Sequence, residues 1–447
     1  MPFDERTDWV DTPSSPAPPG STPVHAADIK RWERGIAEAH EELVGKLSKA
    51  DADATYVRGE VADAKYAPRV ATQSPMLVVG TRSKTGNARS ATAPTSSLSD
   101  GSVQAETIRY RHFATCDAHS IRLVYGNITM GEPGPNPITV KAAVQYSTGD
   151  QGIVPVYFNG SRTVTIQPGG IAVSDPVPLD LYAGVAFYTR QRVSVTEAGQ
   201  KWPIGPRVDT SVGDGMEPTD VVDAGNPATG HNTFRFGPTA IVGVPVATGL
   251  EPTWFLLGDS IVQGVGDTGG EPVMDAGWPA RGLANNYGYI NAGRAGEEAG
   301  QFQPGRGRLL GRLQLAAYCT HALVNYGVND IKGNKTAAQI KGYLETIWAM
   351  LDRMGIAVYQ STITPITDNT GTTPLNAAQE AVRVEVNNWI RTTPGLLSGY
   401  FDAADASETA RNSGAWKSGY STDGTHPNST GGGGIAAAFG PFVAALS

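Results

Sequence analysis

Cysteine is almost missing from this chain: Cys116 and Cys319 are the only two in 447 residues. They stand far apart and in different expected domains, which excludes a disulfide framework, and neither sits at a metal-ligand spacing. Charge is scarce too, at 17% Asp, Glu, Lys and Arg, with a formal net charge of -8 and a pI near 5.4. A global attraction to nucleic acid or anionic lipid is therefore not expected, and a neutral or weakly charged substrate fits better. No run of about 18 apolar residues occurs, which argues against a membrane span. The opening MPFDERTDWVDTPSSPAPPG is acidic and Pro-rich where a secretory signal needs a basic start and an apolar core. Action outside a cell would then require another route of release.

What the chain does have is glycine and proline, 54 and 31 residues, a composition that favours strands, turns and long loops over helical bundles. Its length exceeds what one hydrophobic core usually organises, so two or three domains are expected. Residues 1–23 read as an unstructured arm, DTPSSPAPPGSTP being extended in character. Residues 24–69 read as a helical stem. Ile29, Trp32, Ile36, Ala39 and Leu43 are spaced 3, 4, 3 and 4, the seam of a short coiled coil, although a helix packed on its own domain gives the same spacing. LSKADADATYV and RGEVADAKYAPR look like two imperfect copies of one pattern, which suits either a slender stalk or a linker.

From 70 to 250 the signals are β. TIRYRHFAT, SIRLVYGNIT, ITVKAAVQYS, RTVTIQP and LYAGVAFYTR alternate apolar and polar residues between Gly, Pro, Asn and Asp. Regular short strands predict an antiparallel β-sandwich of jelly-roll type. His112, Asp117 and His119 cluster in sequence, and surface or strand-end polarity accounts for them better than a metal site does.

From 251 to 447 the rhythm changes again. WFLL, YINAG, HALVNYG, IAVYQSTIT and YFDAAD alternate with helical stretches at about 277–287, 336–354 and 375–392. That order predicts a parallel sheet with helices on both faces, and in such sheets a ligand lies beyond the carboxyl ends of the strands. Ser260 follows WFLLGD and so stands at the first strand exit, where backbone N–H groups could stabilise an oxyanion. Gly-Asp-Ser alone is a weak signal, since a serine capping a helix is common.

A serine nucleophile needs a histidine, and the chain has seven. His426 stands in STDGTHPNSTGG with Asp423 three residues before it, a spacing that lets one loop present an imidazole while its own carboxylate holds the other ring nitrogen. His25 and His40 fall in the N-terminal helix, His112, His119 and His231 in the β region, and His321 opens a strand. NAGRAG (291–296) could offer the Gly296 N–H to a ligand, and GVND (327–330) could aim the Asn329 amide at the same point. Each also reads as an ordinary turn. Trp278, Trp416 and Tyr420 are candidates either for a sugar subsite or for plain packing.

These segments resemble the four blocks of the SGNH hydrolase, or GDSL-like lipase/esterase, family: GDS at 258–260, NxxxxG at 291–296, GxND at 327–330 and DxxH at 423–426, in the family's order. The resemblance implies a three-layer α/β/α fold with Ser260 as nucleophile, His426 as general base and Asp423 orienting it. It also implies an oxyanion hole from the N–H of Ser260, the N–H of Gly296 and the Asn329 side chain, and chemistry that needs no metal or organic cofactor. Ile261 replaces the leucine of GDSL, a change expected to affect packing more than chemistry. No G-x-S-x-G occurs, which disfavours an α/β-hydrolase elbow.

The front of the chain, TPVHAADIKRWERGI with KADADATYV and ADAKYAPR, resembles tail-fibre or minor tail proteins from phages of actinobacteria over about residues 20–70. That resemblance implies a homotrimeric stem among other tail proteins of a virion, acting on a host surface polysaccharide or acylated glycan. Alternatives are a receptor-binding tail component that uses the hydrolase fold to hold a glycan, and a secreted carbohydrate esterase, which the missing signal peptide disfavours.

Overall fold

The computed structural model describes residues 76–84, 97–129, 132–146, 152–229, 233–246, 252–269, 275–306, 310–374 and 376–446. The arm and coiled-coil stem expected over 1–69 lie outside the described residues, as do His25, His40 and His231.

The central region builds two larger antiparallel sheets, with two two-stranded ladders beside them. One runs in the order Leu77–Val78, Ala240–Pro245, Ala118–Gly126, Ile171–Val173. The other runs Gly215–Glu217, Ala105–Phe113, Ala186–Ser194, Ile138–Gln145, Ile153–Pro155, with Thr163–Ile166 also on Ile138–Gln145. Alternation explains the shared core. Ile108 and Tyr110 from one sheet meet Ile121, Leu123, Tyr125 and Ile241 from the other. Several intervening residues of the smaller sheet face a second core instead of water, although His119 near the start of its strand is exposed. Val78, Val124, Ala240 and Val242 belong to the C-terminal core, so that sheet is buried on both faces. This is why SIRLVYG and AIVGVP are apolar nearly throughout.

The C-terminal region is a parallel six-stranded sheet: β1 (Ser83–Lys84), β2 (Trp254–Gly258), β3 (Tyr289–Asn291), β4 (His321–Asn325), β5 (Ala357–Ser361) and β6 (Gly399–Phe401). Their spatial order is β1-β3-β2-β4-β5-β6, every neighbouring pair parallel. The edge strand β1 thus comes from the interval that reads as β domain. The chain leaves β2 for β3 on one side and later adds β4 on the other, so the strand order reverses at β2, where open α/β sheets leave a crevice.

Helices α1 (Ser260–Gln263), α2 (Trp278–Leu283), α3 (Leu310–Ala316), α4 (Val328–Lys332), α5 (Ala337–Asp352), α6 (Ala377–Ile390), α7 (Ala403–Ser407) and α8 (Ser429–Ala444) link and follow the strands. Local chemistry sets their starts. Thr336 and Gln339 form a reciprocal capping box on α5, and Asn376 and Asn428 accept first-turn N–H groups of α6 and α8. Periodicity sets the buried faces: Ile340, Leu344, Ile347 and Leu351 on α5, and Ile435, Phe439 and Val443 on α8. Phe439 packs on Trp278 and Phe401 with ring centroids 5.1 and 5.0 Å away. Among the described residues no helix is long and apolar enough to cross a membrane.

Candidate active site

β2 is buried along its whole length between β3 and β4, as its run of apolar residues requires. Asp259 stops it and caps α1, one carboxylate oxygen accepting the Ile261 N–H at 2.9 Å. Ser260, 7% exposed, is therefore fixed at the carboxyl end of a central strand, at the switch point.

His426 reaches it from the loop before α8. Its Nε2 lies 2.8 Å from Ser260 Oγ, and its Nδ1 lies 2.6 Å from Asp423 Oδ2. The other Asp423 oxygen accepts the N–H groups of His426 and Thr425 at 2.8 and 2.9 Å. Partial burial pulls the Asp423 carboxyl upward, but the His426 ring and these N–H groups outweigh it and hold it down at about 2. An ionised Asp423 can only accept, so Nδ1 carries the proton and Nε2 is left to accept from the Ser260 hydroxyl.

The His426 loop is tied down on three sides. Ser421 Oγ donates to His426 O at 2.8 Å, the Trp416 indole N–H and the Thr367 N–H donate to Gly424 O at 3.2 and 2.8 Å, and Lys332 Nζ donates to Thr425 Oγ1 at 2.7 Å. Lys332 lies on α4, so the helix that carries Asn329 also grips this loop.

Gly296 follows β3 with φ +75°, and a Cβ added there would meet nothing within 4 Å. Glycine is thus required by the left-handed backbone and leaves the peptide open to a ligand. Asn329 Nδ2 donates to Glu297 O at 3.0 Å and to Asp259 Oδ2 at 3.3 Å. Its neighbour Asp330 accepts the N–H groups of Ala299 and Gly300 at 2.9 and 3.4 Å. Burial raises the Asp330 carboxyl to about 6 against those bonds.

Beneath this loop, Glu297 is fully buried and takes both guanidinium nitrogens of Arg312 at 2.8 and 2.6 Å and the Tyr326 hydroxyl at 2.5 Å. Burial works against the Arg312 charge, yet Glu297 and Tyr326 outweigh it and raise its pKa. The segment carrying Gly296 is therefore pinned by Glu297 from below and by Asn329 and Asp330 from α4.

Asp259, Glu297 and Asp330 were not among the residues singled out by pattern. GDS and GVND do contain the two aspartates, but nothing local says that one reaches Asn329 and the other the loop after β3. The remaining candidates fall elsewhere. His321 opens β4, its ring 5.1 Å from that of Trp254. Trp278 and Trp416 are buried at 1% and 3% exposure, which removes them as a sugar subsite, and Tyr420 is half-buried. His112 is a correction: it is fully buried, between Thr81 O at 2.7 Å and Thr189 Oγ1 at 2.9 Å, while Asp117 and His119 are exposed. His112 faces inward from Ala105–Phe113, whereas Asp117 lies in the connection that follows and His119 at the exposed start of Ala118–Gly126. Among the described residues no group of three or more His, Cys, Asp or Glu is gathered as a metal site would be.

Among curated proteins none matches this sequence. Solved structures similar to it include Axe2, an acetylxylan esterase from Geobacillus stearothermophilus, at 14% identity over 44% of this chain and 95% of that one, with a TM-score of 0.32. A GDSL-like lipase from Bacteroides thetaiotaomicron VPI-5482 is similar at 15% identity over 45% and 93%, with a TM-score of 0.32. Residues 256–432 match the model of the GDSL-like Lipase/Acylhydrolase family, an interval that holds Ser260, Gly296, Asn329, Asp423 and His426. The C-terminal part of this chain is a GDSL-like lipase/acylhydrolase domain.

Proposed function

We propose that this domain is a serine ester hydrolase. The observation that carries the reading is the unbroken hydrogen-bonded line from Asp423 through His426 to Ser260 at a parallel-sheet switch point. Ser260 Oγ attacks the ester carbonyl carbon while His426 Nε2 takes its proton, and Asp423 stabilises the imidazolium that results. The carbonyl oxygen becomes an oxyanion facing the N–H groups of Ser260 and Gly296 and the Asn329 amide. Collapse expels the alcohol, which recovers the proton from His426. Water, activated by the same imidazole, then releases the acid and restores Ser260.

The finer reading is that the esters are short, acetyl in the first instance, on a host cell-surface glycan, and that the protein is a homotrimeric component of a phage tail. Its support is the resemblance of residues 20–70 to tail-fibre proteins and the weak overall charge, which suits a neutral sugar. Purified protein should hydrolyse p-nitrophenyl acetate faster than the butyrate. Ser260→Ala and His426→Ala should remove nearly all of that turnover, and unchanged turnover by Ser260→Ala would sink the assignment. Light scattering on the full chain should give a trimer, and a monomer mass would count against the tail reading.

A further inference from the structure

Asp259 is a carboxyl with 0% exposure beside the nucleophile, and among the described residues no Lys, Arg or His pairs with it. A buried carboxyl without a counter-charge is costly, and retention of one calls for a reason that an amide or hydroxyl could not satisfy. Its two oxygens have different partners. Oδ1 accepts the Ile261 N–H at 2.9 Å, the ordinary helix-cap role, and Oδ2 accepts from Asn329 Nδ2 at 3.3 Å. One side chain thus bridges the turn that carries Ser260 to the helix that carries Asn329. Asparagine there would offer a single acceptor and turn its own N–H₂ toward that of Asn329.

We propose that Asp259 is a positioning residue that aims the Asn329 amide at the oxyanion. This rests on the reading of Asn329 as an oxyanion donor. Glu297 O at 3.0 Å takes one amide hydrogen, and the longer contact to Asp259 keeps the second in place until the oxyanion, a stronger acceptor, claims it. Burial pushes the Asp259 carboxyl up to about 7, opposed by the Ile261 N–H and reinforced by Asp330 and Glu297, as expected for a carboxyl with no cation to relieve it.

Two variants separate this role from capping. Asp259→Ser keeps a good cap for the Ile261 N–H but removes the second oxygen, and Asp259→Asn reverses the polarity facing Asn329. Steady-state hydrolysis of p-nitrophenyl acetate should show kcat reduced about 10- to 100-fold in both, with KM within about twofold, approaching the loss from removing one oxyanion donor. In an Asn329→Ala background the same substitutions should have almost no further effect. Near-wild-type kcat in Asp259→Ser, or losses that multiply with that of Asn329→Ala, would overturn the proposal and leave Asp259 a helix cap. Asn329→Ala without effect on kcat would remove the oxyanion reading itself, a separate outcome. Should Asp259→Asn fail to fold, Asp259→Ser decides alone.

Discussion

At the scale of single residues the site is held by contacts too close to tolerate extra atoms. Gly266 has φ +85°, and a Cβ there would stand 3.0 Å from the His426 Cβ and 3.1 Å from Pro427 O. Gly266→Ala should therefore displace the imidazole and lower kcat on p-nitrophenyl acetate about 10-fold or more. Turnover at the wild-type rate would show that the loop yields instead. His112 acts on stability rather than chemistry. Burial, joined by the Arg82 charge, lowers its pKa from 6.5 to about 3, so it is neutral in the fold and gains a proton on unfolding in acid. Its contribution is thus lost as pH falls from about 6.5 toward 3. Urea midpoints measured between pH 7 and pH 4.5 should fall less steeply for His112→Gln than for wild type. Asp423 has the same sign over a more acidic window: its lowered pKa contributes stability above about 4 that is lost as pH falls toward about 2.

At the scale of elements, α8 and the loop after β3 hold the two halves of the site. Asn428 accepts the N–H groups of Thr430 and Gly431 at 3.0 Å each, two residues after His426. Asn428→Ala should cost about 1 kcal/mol in urea unfolding, and it should lower kcat as well because the cap anchors the histidine loop. Glu297→Gln should be more severe, since a buried guanidinium that loses its partner typically costs ~3–5 kcal/mol. A loss below about 1 kcal/mol by the same measurement would mean that Tyr326 and the Ala292 carbonyl suffice for Arg312. The helical stretches at about 277–287, 336–354 and 375–392 were legible from their alternation with apolar runs and correspond to α2, α5 and α6, although α2 ends at Leu283 and has no side-chain cap. The network under Gly296 was not, because Glu297, Arg312 and Tyr326 are brought together only by two separate strand exits and a helix.

At the scale of the whole molecule, the β region and the hydrolase domain share a wall. Val78, Val124, Ala240 and Val242 face the C-terminal core, and β1 completes the parallel sheet from well before residue 251. A fragment of residues 252–447 should therefore expose an apolar face and an unpaired sheet edge and should aggregate. One beginning at residue 76 should unfold cooperatively. Circular dichroism melts of the two decide this, and a cooperative melt of 252–447 at the temperature of the longer fragment would contradict the shared wall.

The sequence by itself determined the order of elements and the residues brought to each strand exit, because hydrophobic period, caps and glycine act over a few residues. Ser260, His426 with Asp423 three residues before it, Gly296 and Asn329 were candidates on that basis, and their roles came from the resemblance of the four segments to the SGNH hydrolase family. Only the tertiary structure decided that Asp259 bridges Ser260 to Asn329, that Glu297 and Arg312 support the loop between them, and that the β sheet closes over the hydrolase core. Those contacts join residues far apart in the chain, where distance is set by packing and carries no local signature.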